Sequence, residues 1–500
     1  MTQRSKLHYP VCFGEKEVTK KETTKKEAAK KHAHKKDGAP SKIAQPVTVD
    51  RRSRADRKDE GKAMRLAVPL ASHAEWQAPP SRRDPIDLLI ESSVGRVPEL
   101  LPIRYGRMMQ SPFAFYRGAA AIMAADLACL PSTGIIVQAC GDCHLLNFGS
   151  FATPERRQIV AINDFDETMP APWEWDIKRL AASFVVAGRS NSFTAEEARA
   201  AAQACARSYR ERMREFSKMG VLDLWYYSID MDAMLEQIED ETASARSQKR
   251  FAKARDRNVL DEDFPELVTF EGGEHRIRDN PPLIYHLQGE EEAVVEARIH
   301  EAFEGYRATL AEDRRLLLDR YEFKDLAMKV VGVGSVGTRC GIMLMMGGAD
   351  DPLFLQVKEA GPSVLEPYVG RSPYPNHGQR VVMGQRLMQS ASDVFLGWTE
   401  TNIGTHFYIR QMRDMKIKPL VELFSPLVMA QYAEVCGWAL ARAHARSGDA
   451  AKIAGYLGKK EDFDEALADF SESYADQNEK DYQALVQAVQ KGRLEVYLER

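Results

Sequence analysis

The chain has 500 residues, 44% of them apolar, and a formal net charge of −4, enough for two to four folding units or one large two-part enzyme. No apolar run is long enough to span a bilayer, and the opening Met-Thr-Gln-Arg-Ser-Lys leads into no apolar segment, so neither a membrane partner nor a secretory signal is expected and the cytoplasm is the expected location. Seven cysteines scattered over this length do not make a disulfide framework.

Charge is uneven along the chain. Residues 1–65 hold 19 basic and 9 acidic side chains, a net +10, while the other 435 carry a net −14. A segment so charged and so poor in large apolar groups reads as a disordered solubilising tail. A weak electrostatic contact with nucleic acid is the lesser reading, since few aromatics are present to stack on bases.

Order is expected to start near Ser72-His73-Ala74-Glu75-Trp76. Residues 84–130 read as helical, with Asp84-Pro85 and Ser111-Pro112 as cap and first-turn proline. Short β-like runs follow at 134–139 and 158–163, then helices at 175–188, 194–218 and 230–257. Residues 258–288, broken by Gly272-Gly273 and Pro281-Pro282, read as irregular, and 290–321 as one charged helix. Between 323 and 412 the character turns to strand, with β-prone runs at 327–333, 338–346, 353–357, 394–398 and 406–412 and one helix at 377–390. Helices return at 426–446, 463–476 and 479–490. The expected units are therefore a tail (1–65), a helical part (66–322), a sheet part (323–412) and helices completing the helical part (413–500).

The most informative segment is Gly141-Asp142-Cys143-His144-Leu145-Leu146-Asn147, a polar loop leaving one β-like run. The next such run ends in Asn163-Asp164-Phe165-Asp166-Glu167. Phosphoryl transfer needs one carboxylate to accept a proton from the attacking hydroxyl. It also needs an amide oxygen and a second carboxylate to hold magnesium against the nucleotide phosphates. Asp142 fits the first role; Asn147 and Asp164 fit the second. Asp166 and Glu167 are open between metal support, substrate contact and simple solvation. A single acid in a loop is usually a cap or a turn; it is the agreement of several spacings that argues for chemistry. Cys140-Gly141-Asp142-Cys143 has a redox or half-zinc spacing, but no second pair accompanies it and the sequence leads into a catalytic-type loop.

This loop resembles the catalytic loop of aminoglycoside-phosphotransferase-like kinases, with an Asp, a His two later and an Asn five later. Asp164-Phe165 is similar to their magnesium-binding dipeptide. The resemblance implies a supporting role for His144 and makes Asp176, twelve residues beyond Asp164, the counterpart of an acid that braces the loop.

Gly332, Gly334 and Gly337 form a Gly-x-Gly-x-x-Gly, a weak signal alone. A β-like run follows it, whereas a dinucleotide fold would place a helix there. Strand, glycine loop and strand is the kinase arrangement, in which a hairpin covers the phosphates, and Lys358, closing the next strand, matches the lysine of the α- and β-phosphates. A strand-end lysine is often only reaching for solvent; the hairpin order favours the functional reading. The helix at 377–390 offers no acid to pair with Lys358, leaving Glu366 as the substitute. A hinge near Gln411 and Met412 is expected to meet adenine.

Kinases place the glycine loop and lysine before the catalytic loop. Here Asp142 precedes Gly332, which suggests circular permutation, tolerable where new termini are exposed. Pro102–Met108, Ser111–Gly118, Asn163–Thr168, Trp173–Asp176 and Gly384–Gln389 resemble an uncharacterised bacterial family, domain of unknown function 2252, over about Arg65 onward. Together the resemblances imply an α+β, two-lobed, permuted kinase-like fold that uses ATP and magnesium on an unknown small molecule. AMP transfer or a catalytically silent nucleotide-binding regulator are the alternatives. Arg104, Arg107, Tyr116 and Arg117 read evenly as a phosphate or carboxylate site and as braces for Asp142. Trp173, Trp175 and His444 read as structural.

Overall fold

The computed structural model describes residues 42–235, 249, 264–286, 292–330, 332–348, 351–412 and 417–498. The chain is mixed α+β with small antiparallel sheets. No helix among the described residues is long and apolar enough to cross a membrane.

The helical part begins earlier than its composition suggests. Ser53 caps α1 (Arg54–Ala63) by accepting from the Asp56 N–H, so the end of the segment read as a tail is ordered; residues 1–41 lie outside the described residues. Next come α2 (Pro85–Glu91), α3 (Leu101–Met108), α4 (Pro112–Gly118) and α5 (Ala120–Leu127). Asp84 and Ser111 accept from first-turn amides ahead of Pro85 and Pro112, as those dipeptides predict. Then β1 (Ile136–Ala139), β2 (Phe148–Ala152), β3 (Gln158–Ile162) and β4 (Met169–Pro172) lead into α6 (Trp173–Ser190) and α7 (Ala195–Phe216). α7 opens on a capping box between Thr194 and Glu197. β1 pairs with β4 and β2 with β3, both antiparallel.

Of the helix expected at 230–257, Met231–Leu235 is helical after a short strand, β5 (Ile229–Asp230), that pairs with β3; nearly all of the remainder lies outside the described residues. The stretch read as irregular contains a hairpin, β6 (Val268–Glu271) and β7 (Glu274–Ile277). Gly272 and Gly273 both take positive φ at its turn, 62° and 90°, the backbone a tight two-residue hairpin demands.

One six-stranded antiparallel sheet carries the glycine loop and lysine. Its strands are β8 (Ile284–Tyr285), β9 (Tyr321–Lys329), β10 (Cys340–Gly347), β11 (Asp351–Glu359), β12 (Gly397–Glu400) and β13 (His406–Gln411), in the spatial order β12-β13-β11-β10-β9-β8. Val357 and Lys358 of β11 lie opposite Ile409 and Tyr408 of β13. The helix expected at 290–321 is two helices, Glu292–Ala308 and Glu312–Leu318, ahead of β9. α8 (His377–Met388) lies between β11 and β12, close to its expected range.

Three helices close the chain: α9 (Pro426–Ser447), α10 (Ala450–Leu457) and α11 (Asp462–Gln490). The break expected at 477–478 is absent. Gln477 donates to Asp481 one turn on and Asn478 donates to the Pro112 carbonyl, so these two polar residues sit within the helix at no loss. α9 packs along α7, and α11 against α6 and α7. Trp173 stacks on Tyr209 at 5.7 Å and meets Phe463 and Tyr456. Trp173 and Trp175 are buried, as core side chains.

Candidate functional site

The loop after β1 is set by its braces. Gly141 has φ +83°, and a Cβ there would meet the Glu167 carbonyl oxygen, so only glycine suits the turn. The Asp176 carboxylate accepts from the Cys140 N–H (2.6 Å) and the Gly141 N–H (3.0 Å). His444 of α9 lies 3.1 Å from Asp176 Oδ2, and its other ring nitrogen is 2.9 Å from the Tyr209 hydroxyl. Asp176 therefore holds the loop through backbone amides, with a buried histidine behind it.

Asp142 projects from that loop toward the sheet. Arg179 donates to its Oδ1 from both Nε and Nη2. The same guanidinium donates to the Tyr116 carbonyl and stacks 4.6 Å from the Tyr116 ring. Burial pushes the Asp142 carboxyl up, against the opposing pull of Arg179 and Arg117. Sequence reading missed Arg179, whose place one turn past Asp176 on α6 is its only signal. Asn147 donates from Nδ2 to the Asp142 carbonyl at 2.6 Å, fixing the amide and leaving its Oδ1 for another partner. His144 accepts from the Leu146 N–H and stands 3.9 Å from Asp142 Oδ2; burial holds it neutral.

Lys358 enters from β11. Its Nζ donates to Asp166 Oδ2 at 2.7 Å and lies 3.9 Å from Asp164 Oδ1. Asp166 also accepts from Tyr408 (2.6 Å) and from Ser335 of the glycine loop (3.1 Å). Burial would raise Asp166, but Lys358 and Tyr408 outweigh it and bring it down to about 2. Asp164 is raised, by burial first and then by Asp166. The acid that meets Lys358 is thus Asp166 and not Glu366. Glu366 is buried at the start of a short helix, 3.9 Å from His377. α8 sends no acid; its buried Arg380 donates to the carbonyls of Asp166, Thr168 and Gly361.

The glycine loop is a docked turn and not an open hairpin. Val333–Ser335 form a 3-10 turn. The Val97 N–H donates to the Gly337 carbonyl, and Arg96 donates to the Val336 carbonyl. Val336 is buried with Leu100 and Ile103. Gly337 has φ +89°, whereas Gly332 has φ −57°. Gly334 is beside Asp142: a Cβ there would stand 4.0 Å from Asp142 Oδ2.

The N–H groups of Gln411 and Met412 are already used, by Asp393 Oδ2 (2.5 Å) and the Phe354 carbonyl (3.0 Å). The hole beside Gln411 is about 30 Å³, room for one water. A larger space lies elsewhere. A cavity of about 560 Å³ is lined by Asp142, Asp164, Asp166, Gly334 and Ser335 on one side and by residues of the 83–121 helices and the 359–368 loop on the others.

Among the described residues no three His, Cys, Asp or Glu side chains group as a complete metal cage. A magnesium ion does not require one, since it is commonly held by one or two protein oxygens plus substrate phosphates. Asp164 and the Asn147 Oδ1 suit that; Asp166 accepts from Tyr408 at Oδ1 and from Lys358 and Ser335 at Oδ2, which leaves Oδ1 with a lone pair for such an ion. Cys140 and Cys143 are buried and unbridged.

Residues 96–488 match a family model described as "Uncharacterized protein conserved in bacteria (DUF2252)". No curated protein and no solved structure matches the chain.

Proposed function

The chain belongs to that uncharacterised bacterial family, and from this premise we propose that it is an ATP- and magnesium-dependent phosphotransferase of kinase-like type acting on a small molecule. One observation carries the reading: Lys358, encoded 192 residues after Asp166, reaches Asp166 and Asp164, and Asp142 and the glycine loop border the same cavity. In this reading the sheet and the helical part are the two lobes of a circularly permuted kinase. The end of α9 adjoins β1, with Gly448 packed on Val137, as expected if a helix encoded after the sheet precedes the catalytic loop in space.

In the proposed reaction Asp142 orients the acceptor hydroxyl and takes its proton, while Arg179 fixes the carboxylate. Lys358 holds nucleotide phosphate once it leaves Asp166. Asp164 and Asn147 would hold magnesium, which neutralises charge developing on the phosphoryl oxygens. Incubation with γ-labelled ATP, magnesium and a metabolite mixture should yield a labelled product that is lost with Asp142→Asn; labelling that survives the change would refute the assignment.

The distribution of space favours a second reading. The cavity of about 560 Å³ bordered by Asp142, Asp164 and Asp166 has room for a base. A nucleotide lying that way runs in reverse and presents its α-phosphorus for AMP transfer. Transfer of α-label and not γ-label would select it.

A further inference from the structure

The same cavity also carries cations. Arg96, Arg104 and Arg117 line it, yet among the described residues none of their hydrogen bonds goes to a carboxylate. Arg96 donates to the carbonyls of Ser92 and Val336. Arg104, 2% exposed, donates to Ser93 Oγ and the Gly118 carbonyl, and its Nε is buried with no partner among the described residues. The Arg117 Nε is likewise buried without one. Arg117 feels the Asp142 charge, but the Asp142 oxygen that is bonded is taken by Arg179.

The other acids of the cavity are committed elsewhere. Glu91 pairs with Arg83 at the mouth, Glu359 with Arg339, Asp166 with Lys358, Asp164 stands 3.9 Å from the same Lys358, and Glu167 accepts from the Val364 N–H. Burying guanidinium charge without a carboxylate is costly, and burial depresses the basicity of all three arginines. A fixed fork of N–H groups in a cavity wall matches the oxygens of a phosphate or carboxylate.

We propose that Arg117, with Arg96 and Arg104 behind it, forms an anion subsite that receives a phosphate or carboxylate group of the acceptor, so that the substrate is an anionic hydroxyl compound. The proposal rests on the phosphotransferase reading, in which the acceptor occupies this cavity with its hydroxyl at Asp142.

The test is calorimetric titration of the full chain with inorganic phosphate and, separately, with magnesium·ADP. Phosphate should bind, and Arg117→Gln should weaken it about tenfold or more while leaving magnesium·ADP affinity unchanged. Arg83→Ala, which removes a mouth charge already paired, should change neither. If Arg117→Gln fails to fold, Arg117→Lys, which keeps the charge and loses the fork, should show a smaller weakening of phosphate alone. No phosphate binding, or equal weakening by Arg83→Ala, overturns the subsite. Competition between phosphate and magnesium·ADP overturns the acceptor assignment and gives the arginines to the nucleotide. Phosphate binding lost in Arg117→Gln, in a protein that binds no magnesium·ADP, leaves the anion subsite standing and fails the phosphotransferase reading.

Discussion

Lys178 of α6 is buried with its ammonium 4.5 Å from the Phe470 ring and no hydrogen-bond partner among the described residues. Burial, partly opposed by Glu174, lowers it to about 8 from 10.5. Below pH 8 the folded and unfolded states are both protonated and the fold bears the whole desolvation penalty. Between pH 8 and 10.5 the folded state sheds the proton first and the penalty fades. Lys178→Met should therefore stabilise the protein by roughly 2 kcal/mol at pH 7, measured by urea unfolding, and the gain should be gone near pH 10.5. A destabilised variant at pH 7 would show that the ring contact outweighs burial. The same scale divides what sequence reveals from what it hides. Asp142, Asn147, Asp164 and Asp176 could be read from local spacing because two loops and one helix, close together in the chain, position them. The partner of Lys358 could not, because Asp166 lies 192 residues away and no local pattern records a pairing across that distance.

At the scale of elements, the three glycines of the loop have different reasons to be glycine. Gly337 needs positive φ and packs on Arg96, where an added Cβ would stand 3.1 Å from the Arg96 Cβ; Gly332 has ordinary φ and open space. Gly337→Ala should destabilise by about 1–2 kcal/mol, whereas Gly332→Ala should stay within about 0.5 kcal/mol of the parent, both by chemical denaturation. Equal effects would mean the docked turn is not the solution conformation. Long periodic helices such as α7 and α9 were legible in the sequence, and Thr194 and Ser425 supply their local capping hydrogen bonds. β4 and the β6–β7 hairpin were not. Met-Pro-Ala-Pro has little strand propensity and extends only because β1 offers it a ladder.

At the scale of the molecule, the surprise is the reach of the ordered chain toward its N-terminus. Gly61 of α1 and Gly455 of α10 let the two helices approach until a Cβ on either would strike the other's backbone, at Lys452 and Lys58 respectively. Asp50, Arg52, Glu60 and Lys452 form a charge network across them. A chain starting at residue 66 should melt a few degrees below one starting at residue 42; identical midpoints in calorimetry would show that α1 contributes nothing. Composition concealed this helix because its stability comes from backbone contact and ion pairing, with almost no apolar face of its own.

The pairing of Asp176 with His444, 268 residues apart, has a consequence for how the molecule is made. At about 5–20 residues per second, a ribosome delivers the loop brace on the order of tens of seconds before the histidine that backs it. Over that interval the apolar flanks of α6 and α7 emerge with α9 and α11 still unsynthesised. The nascent chain must keep its half-built centre from associating with neighbours until its last helices arrive.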